Sequence, residues 1–354
     1  MKKEFLTGNE AVVRGALAAG AKMLTGYPIT PTTEIMHYWS REQADPMNLD
    51  RGIKFLQTED EMAAGFAMIG GVLAGVKAYT ATAGPGNVLM QDAFSMAENL
   101  RLPTVAFINQ RGGPSTGTVI YSQQEVNLTC FGGNGEGLRI VYSASSVQEM
   151  FDFAIRAFNT AWKYRFPTFV LSDGYTAKTE IEIETYEPKE KNIDLIDIKP
   201  YLCGNTSQNS VNIRNCYNLE TELNEIVTAN KHAFDAIKAE IVDFEDYKTE
   251  DADIIIMAHG IVGAAAKMAV NLLRDDNIKA GLFRPITLNP FPAEAAKQAA
   301  ENVKAILIAE SSLGQFESMV KNNLYGQTVP IEALLSPAKG ISVEEIVAKV
   351  KEMI

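Results

Sequence analysis

Three short segments carry residue types suited to acid–base work, close backbone approach and carboxylate binding, and a proline-stiffened corner precedes them. Gln57-Thr58-Glu59-Asp60-Glu61 sets three acids at the mouth of a stretch rich in Ala, Gly and Met. Carboxylates there can exchange protons with a ligand, or they can simply cap a helix whose dipole favours negative charge in its first turn. Thr80-Ala81-Thr82-Ala83-Gly84-Pro85-Gly86 bares its backbone, because glycine has no Cβ to hold a ligand off. A phosphate cradle is one use of such a loop, although the Gly-x-Gly-x-x-Gly spacing and the Walker lysine are missing. Gln110-Arg111-Gly112-Gly113-Pro114-Ser115-Thr116-Gly117 ends an apolar run on an arginine and enters a glycine-rich loop. That guanidinium can hold a carboxylate through two hydrogen bonds, or it can brace the loop. The corner is Gly26-Tyr27-Pro28-Ile29-Thr30-Pro31-Thr32-Thr33-Glu34. Here Pro31 suits the first position of a helix and Thr30 the N-cap, with the threonine hydroxyl and the first free N–H groups facing a crevice.

Other chemistries find less support. His37, His232 and His259 are the only histidines, and none neighbours a convincing serine or cysteine nucleophile. No metal-ligand cluster has recognisable spacing, and Cys130, Cys203 and Cys216 are too scattered for a zinc knuckle or an iron–sulfur set. A net charge of −12 without a basic stripe argues against nucleic acid. No apolar run approaches the ~20 residues of a membrane span. Met1-Lys2-Lys3 begins basic but leads into a helix-like polar segment, not an apolar signal core. With so few cysteines, this points to the reducing cytoplasm.

The elements that must position these segments alternate. Helices are expected over 9–19, through Ile35 and Trp39, and over 61–73, 89–99 and 147–164; strands are expected over 77–83, 103–109, 139–144 and 168–172. Such alternation means a doubly wound, mostly parallel sheet, and ligands in open sheets of this kind bind beyond the carboxyl ends of the strands. Glu180, Glu182 and Glu184 alternate with Ile181 and Ile183, as an exposed edge strand does. A polar connector follows, with a helix over 219–243. A second α/β unit then shows strands over 253–258, 279–283, 305–309 and 328–331 and a helix over 260–274. The expected division is 1–186, a connector 187–250, and 251–354.

The order GYPITPTTEI, TEDEMAA, TATAGPG and QRGGPSTG resembles the alpha subunit of 2-oxoacid:ferredoxin oxidoreductases. The likeness continues through SSVQEMFDFAIRAFNTAWKYRFPTFVLSDG at 145–174. It resumes with GLFRPITLNPFP at 281–292 and AESSLGQFESMV at 309–320, and is weakest over 187–251. It implies a pyrimidine-type thiamine-diphosphate domain followed by a transketolase-C-terminal-like domain, the cofactor being shared with a beta subunit. Mg²⁺ and an iron–sulfur cluster are expected on partner chains, with gamma and delta subunits and ferredoxin completing the assembly.

The resemblance also implies roles. Glu61, followed by Ala63-Ala64 and by Gly70, matches the glutamate that bonds the pyrimidine N1′, with Glu59 the fallback if the helix register differs. In the family that bond promotes the imino tautomer, whose 4′ nitrogen deprotonates the thiazolium C2. Thr30 and Arg111 match the substrate threonine and the arginine that pairs with the 2-oxoacid carboxylate. Tyr27, Pro28, Ile29, Thr82, Gly84 and Gly86 line the cofactor, and no metal ligand is implied. The reaction implied is oxidative decarboxylation, with coenzyme A taking the acyl group and electrons leaving through iron–sulfur clusters. After Gly117 many relatives continue with a proline and a Gln-x-Asp; here the loop reads Thr118-Val119-Ile120-Tyr121-Ser122-Gln123-Gln124-Glu125, and it borders the substrate pocket. The QRGGPSTG spelling leans toward 2-oxoglutarate, while branched-chain and pyruvate enzymes share much of the remainder. A thiamine-fold binding module without turnover, or a transketolase-like carboligase, are the competing classes.

Overall fold

Strands buried on both faces form the middle of the first sheet, as runs such as Val105-Ala106-Phe107-Ile108 require, while its edge strand Lys54–Gln57 is largely exposed. The structure, a computed structural model, describes residues 1–198 and 213–354. Cys203 and part of the connector lie outside the described residues. The seven strands run in the order Thr287–Asn289, Ile140–Ser143, Thr168–Asp173, Val105–Gln110, Ala78–Thr82, Met23–Gly26, Lys54–Gln57. All pairs are parallel except the first, where Thr287–Asn289 runs against Ile140–Ser143. The expected doubly wound α/β class is the one observed.

Helices cover the sheet by close packing. Gly8–Ala18 lies against Val147–Tyr164 so tightly that a Cβ on Gly15 would stand 2.4 Å from the Phe151 carbonyl oxygen. Tyr79 on the interior strand Ala78–Thr82 takes edge-on contacts from Trp39, Phe107 and Phe158, which locks helices and sheet into one core. The second sheet runs Ile331–Leu335, Ala305–Glu310, Ile254–Met257, Ala280–Pro285, Phe244–Tyr247, parallel but for the last strand. Charged and amide groups fasten it to the first. Arg284, nearly buried, holds Glu149 through two nitrogens at 2.7 and 3.0 Å and gives Nε to Glu245 at 2.8 Å. Gln123 exchanges two bonds with Ser311 and donates Nε2 to the His259 carbonyl at 2.9 Å.

Several expectations fail locally. The helix-like reading after Met1-Lys2-Lys3 is wrong: Lys2–Thr7 is a strand, paired antiparallel with Glu180–Thr185 in a ribbon of its own. The paired residues Lys3 and Glu184 stand 181 positions apart in the chain, a distance at which no local pattern reports pairing. The final strand is Ile331–Leu335, later than expected, and the helix expected over 89–99 is two helices, Pro85–Leu89 and Gln91–Asn99.

Candidate active site

The corner after Met23–Gly26 is not the capped helix start expected. The helix is Thr33–Ala44, and Thr32 precedes it, its hydroxyl donating to the Ile29 carbonyl at 2.8 Å, as its N–H does at 2.9 Å. Thr30 and Pro31, joined by a cis bond, therefore lie in the turn, not at the N-cap and first helical position. Tyr27 and Pro28 are exposed at the rim, whereas Ile29 and Thr30 are half-buried. Turning there frees the Thr30 carbonyl, which accepts Arg111 Nη1 at 3.0 Å.

The acidic segment sorts its members by burial. Asp60 caps Glu61–Leu73, its carboxylate accepting the Ala63 N–H at 2.7 Å, while Glu59 points to the exterior as an exposed residue. Glu61, 6% exposed, turns inward. Burial raises its carboxyl above the usual range; its own backbone N–H and the Arg111 charge pull the other way, and Asp60 adds to the rise. A carboxyl that holds its proton more tightly than usual, set in a crevice, suits a hydrogen bond to a ring nitrogen, which the exposed Glu59 is not placed to make.

Opposite Glu61 is the Gly84-Pro85-Gly86 turn. A Cβ on Gly86 would stand 2.1 Å from Thr82 Oγ1 and 2.8 Å from both Cγ and Oε1 of Glu61, so only glycine leaves the carboxyl its place. Gly84, at φ +51°, is likewise required by Arg111, whose Nε would be 2.8 Å from an added Cβ. The phosphate-cradle reading does not hold, because the Gly84 N–H is already taken by a carboxylate oxygen of Glu125 at 2.8 Å.

Two buried polar atoms here lack a hydrogen-bond partner among the described residues: Thr82 Oγ1 and Arg111 Nε. Orphaned buried groups mark a place where a polar ligand belongs. A raised carboxyl, a glycine-cleared wall and an unused hydroxyl fit an aminopyrimidine ring, and an arginine beside them fits a carboxylate. Glu61, Thr30, Arg111, Thr82, Gly84 and Gly86 thus come together at the carboxyl ends of neighbouring strands.

Two residues that the geometry singles out were not assigned roles from the sequence. Glu125 is 4% exposed and joins Gly84, Asn87 and Arg111, while Gln123 ties its loop to the second sheet. An acid inside the run Tyr121-Ser122-Gln123-Gln124-Glu125-Val126 was the available signal. No group of His, Cys, Asp and Glu that could hold a metal ion occurs among the described residues, and among them no helix is long and apolar enough to cross a membrane.

Comparison with known proteins places this arrangement. Residues 14–246 match the thiamine-diphosphate-binding domain of pyruvate flavodoxin/ferredoxin oxidoreductases, and residues 252–346 match core domain II of pyruvate:ferredoxin oxidoreductase. The chain is 35% identical to the ketoisovalerate oxidoreductase subunit VorB of Methanothermobacter marburgensis, covering 91% of this chain and 90% of that one. It is 34% identical to the 2-oxoglutarate synthase subunit KorA of Methanocaldococcus jannaschii, covering 89% and 90%. A solved 2-oxoglutarate:ferredoxin oxidoreductase from Magnetococcus marinus superposes with a TM-score of 0.88 at 25% identity, over 99% of this chain and 65% of that chain. The chain therefore belongs to the 2-oxoacid:ferredoxin oxidoreductases, as a subunit of a multi-subunit enzyme that carries the family's thiamine-diphosphate-binding domain.

Proposed function

We propose that the chain is the alpha subunit of an enzyme that oxidatively decarboxylates a 2-oxoacid to its acyl-CoA and CO₂ and passes the electrons to ferredoxin. The observation that carries this is the buried Glu61 carboxyl against Gly86, beside an unused Thr82 hydroxyl and an arginine. When bound, thiamine diphosphate supplies a carbon nucleophile and an electron sink. Glu61 holds the proton or hydrogen bond at the pyrimidine N1′. Tyr27, Pro28, Ile29, Thr82, Gly84 and Gly86 wall the ring. Arg111, steadied by the Thr30 carbonyl, orients the substrate carboxylate, and Thr30 borders the reacting carbonyl.

A beta subunit is proposed to supply the diphosphate side with Mg²⁺ and an iron–sulfur cluster, with gamma and delta chains in the same assembly. Met62 and Phe66 on the Glu61 helix, and Val88 and Leu89 just past Gly86, are apolar and exposed, which supports a partner chain there. The division into 1–186, 187–250 and 251–354, and a cytoplasmic setting suited to the buried free thiol of Cys130, belong to the same proposal. For the substrate we favour 2-oxoglutarate. Beyond Thr30 lies a cavity of about 330 Å³ lined by Val119, Ile120, Gly174, Tyr175, Lys178 and Thr179, and Lys178 is a cation within it that could meet a second carboxylate. Lys178 is already 3.1 Å from Glu34, and the apolar Val119 and Ile120 suit a branched-chain side chain, so a panel of 2-oxoacids decides between them.

The test is reconstitution with a beta subunit and a ferredoxin or viologen acceptor. Glu61→Ala should abolish decarboxylation while the subunits still assemble. Near-normal turnover would refute the assignment, and turnover by no 2-oxoacid in the wild-type complex would support a non-catalytic module instead.

A further inference from the structure

The strands Ala78–Thr82 and Val105–Gln110 pair in parallel as far as Thr82 and Ile108, then part. Beyond that point Gly84 and Arg111 each present a backbone N–H that the ladder no longer satisfies. One oxygen of Glu125 accepts both, at 2.8 Å from Gly84 and 3.1 Å from Arg111. Its other oxygen is fixed by Asn87 Nδ2 at 2.9 Å, and its own N–H donates to Gln110 Oε1 at 3.1 Å. The side chain is thus immobilised at both ends and fills the place of a missing rung.

What hangs on that rung is the substrate side of the site. The Arg111 side chain lies against the Cα of Gly84, and its guanidinium reaches Thr30. The turn that clears the wall beside Glu61 begins at the same Gly84. We infer that Glu125 is a positioning residue: by holding the Gly84 and Arg111 backbones to one carboxylate oxygen, it sets the offset between the cofactor wall and the guanidinium that receives the substrate carboxylate. Nothing in the proposed reaction needs Glu125 to touch substrate, and all its donors are neutral N–H groups. Burial raises its carboxyl, opposed first by Asn87 and then by the two backbone N–H groups and the Arg111 charge. The Arg111 guanidinium gives no hydrogen bond to Glu125; its Nη1 goes to the Thr30 carbonyl.

The inference rests on the proposed reading of Arg111, and its test separates the two. In the reconstituted complex, Glu125→Ala should raise the KM for 2-oxoglutarate, or for 2-oxoisovalerate if that is the better substrate, at least tenfold, and leave the KM for coenzyme A within twofold. Glu125→Gln keeps a carbonyl oxygen for the Gly84 and Arg111 N–H groups, though its amide faces that of Asn87, and should bring the KM back to within about threefold, whereas Glu125→Asp, one methylene short, should resemble Ala. Independently of turnover, hydrogen–deuterium exchange on the purified chain should show peptides containing Gly84 and Arg111 losing protection together in Ala and Asp, but not in Gln. Should Ala fail to fold, Gln and Asp carry both readouts. A lowered melting temperature with unchanged 2-oxoacid KM, or loss of protection at only one of the two amides, would overturn the inference. An inactive wild-type complex would instead strike at the reaction, leaving the exchange experiment to judge the rung.

Discussion

Replacing Gly86 by alanine is the sharpest single perturbation of the site. The new methyl would stand 2.8 Å from Glu61 Cγ and Oε1, where ordinary contact begins at 3.4 Å. Glu61 must retreat by more than half an ångström, and Thr82, whose hydroxyl would be 2.1 Å away, must rotate. Overpacking of this kind costs about 1–3 kcal/mol in stability. Displacement of about 1 Å at reacting groups costs on the order of 10²-fold in rate, so turnover of the reconstituted complex should fall roughly 10- to 100-fold. Steady-state viologen reduction measures the rate, and titration with thiamine diphosphate measures the accompanying loss of affinity. Gly70, on the same helix as Glu61, supplies the contrast, since a Cβ there would meet nothing within 4 Å. Gly70→Ala should raise the stability of the isolated chain by roughly 0.5–1 kcal/mol, the ordinary gain for a helix interior. If Gly86→Ala turns over within twofold of wild type with unchanged cofactor affinity, Glu61 is not held where the geometry puts it.

Arg111→Ala removes a charge-assisted bond of about 1.5–3 kcal/mol, so kcat/KM for the 2-oxoacid should drop roughly 10- to 150-fold; unchanged kinetics would end its carboxylate role. Glu98→Ala should destabilise the chain by about 3–5 kcal/mol in urea, because it strands Arg139, fully buried and bonded to Glu98 at 3.3 Å. A loss below about 1 kcal/mol would mean that Gln91 and the Gly132 carbonyl, which Arg139 also bonds, suffice alone. Burial pushes the Asp173 carboxyl up to about 6, with bonds from Thr176 and Tyr175 opposing. Its contribution is fully present below about pH 4 and lost as pH rises through about 6. Asp173→Asn does not titrate, so its urea midpoint should gain on wild type between pH 4 and 7; a constant difference would contradict the raised carboxyl.

How much of this was legible follows from where each signal lies. The helix Glu61–Leu73 was readable to its ends, since Asp60 caps it and its small residues mark a face packed on a sheet. Val147–Tyr164 was equally plain, with Ser146 as cap and buried residues at helical spacing. Phe244–Tyr247 and Thr287–Asn289 went unread, because each is an edge strand three or four residues long whose partner is distant in sequence. At Thr30 the composition of a cap was present, but the chain turns once more before the helix begins. Glu61 could be preferred to Glu59 only by motif; burial now separates them. Glu125 could not be found by periodicity, since its partners belong to two strand ends that meet only in the folded sheet.

The two edge strands have a consequence for how the molecule holds together. Phe244–Tyr247 precedes the second sheet's other strands in the chain and closes its side, while Thr287–Asn289 comes from among them and closes the first sheet. Each half therefore borrows a border from the other. A cut anywhere in 248–253 would leave both fragments with an open flank of unpaired N–H and C=O groups, prone to recruit whichever strand is nearest. Co-expressed fragments would find each other through those flanks, and a lone fragment would find its own copies, so the intact chain should melt as one unit, not as two.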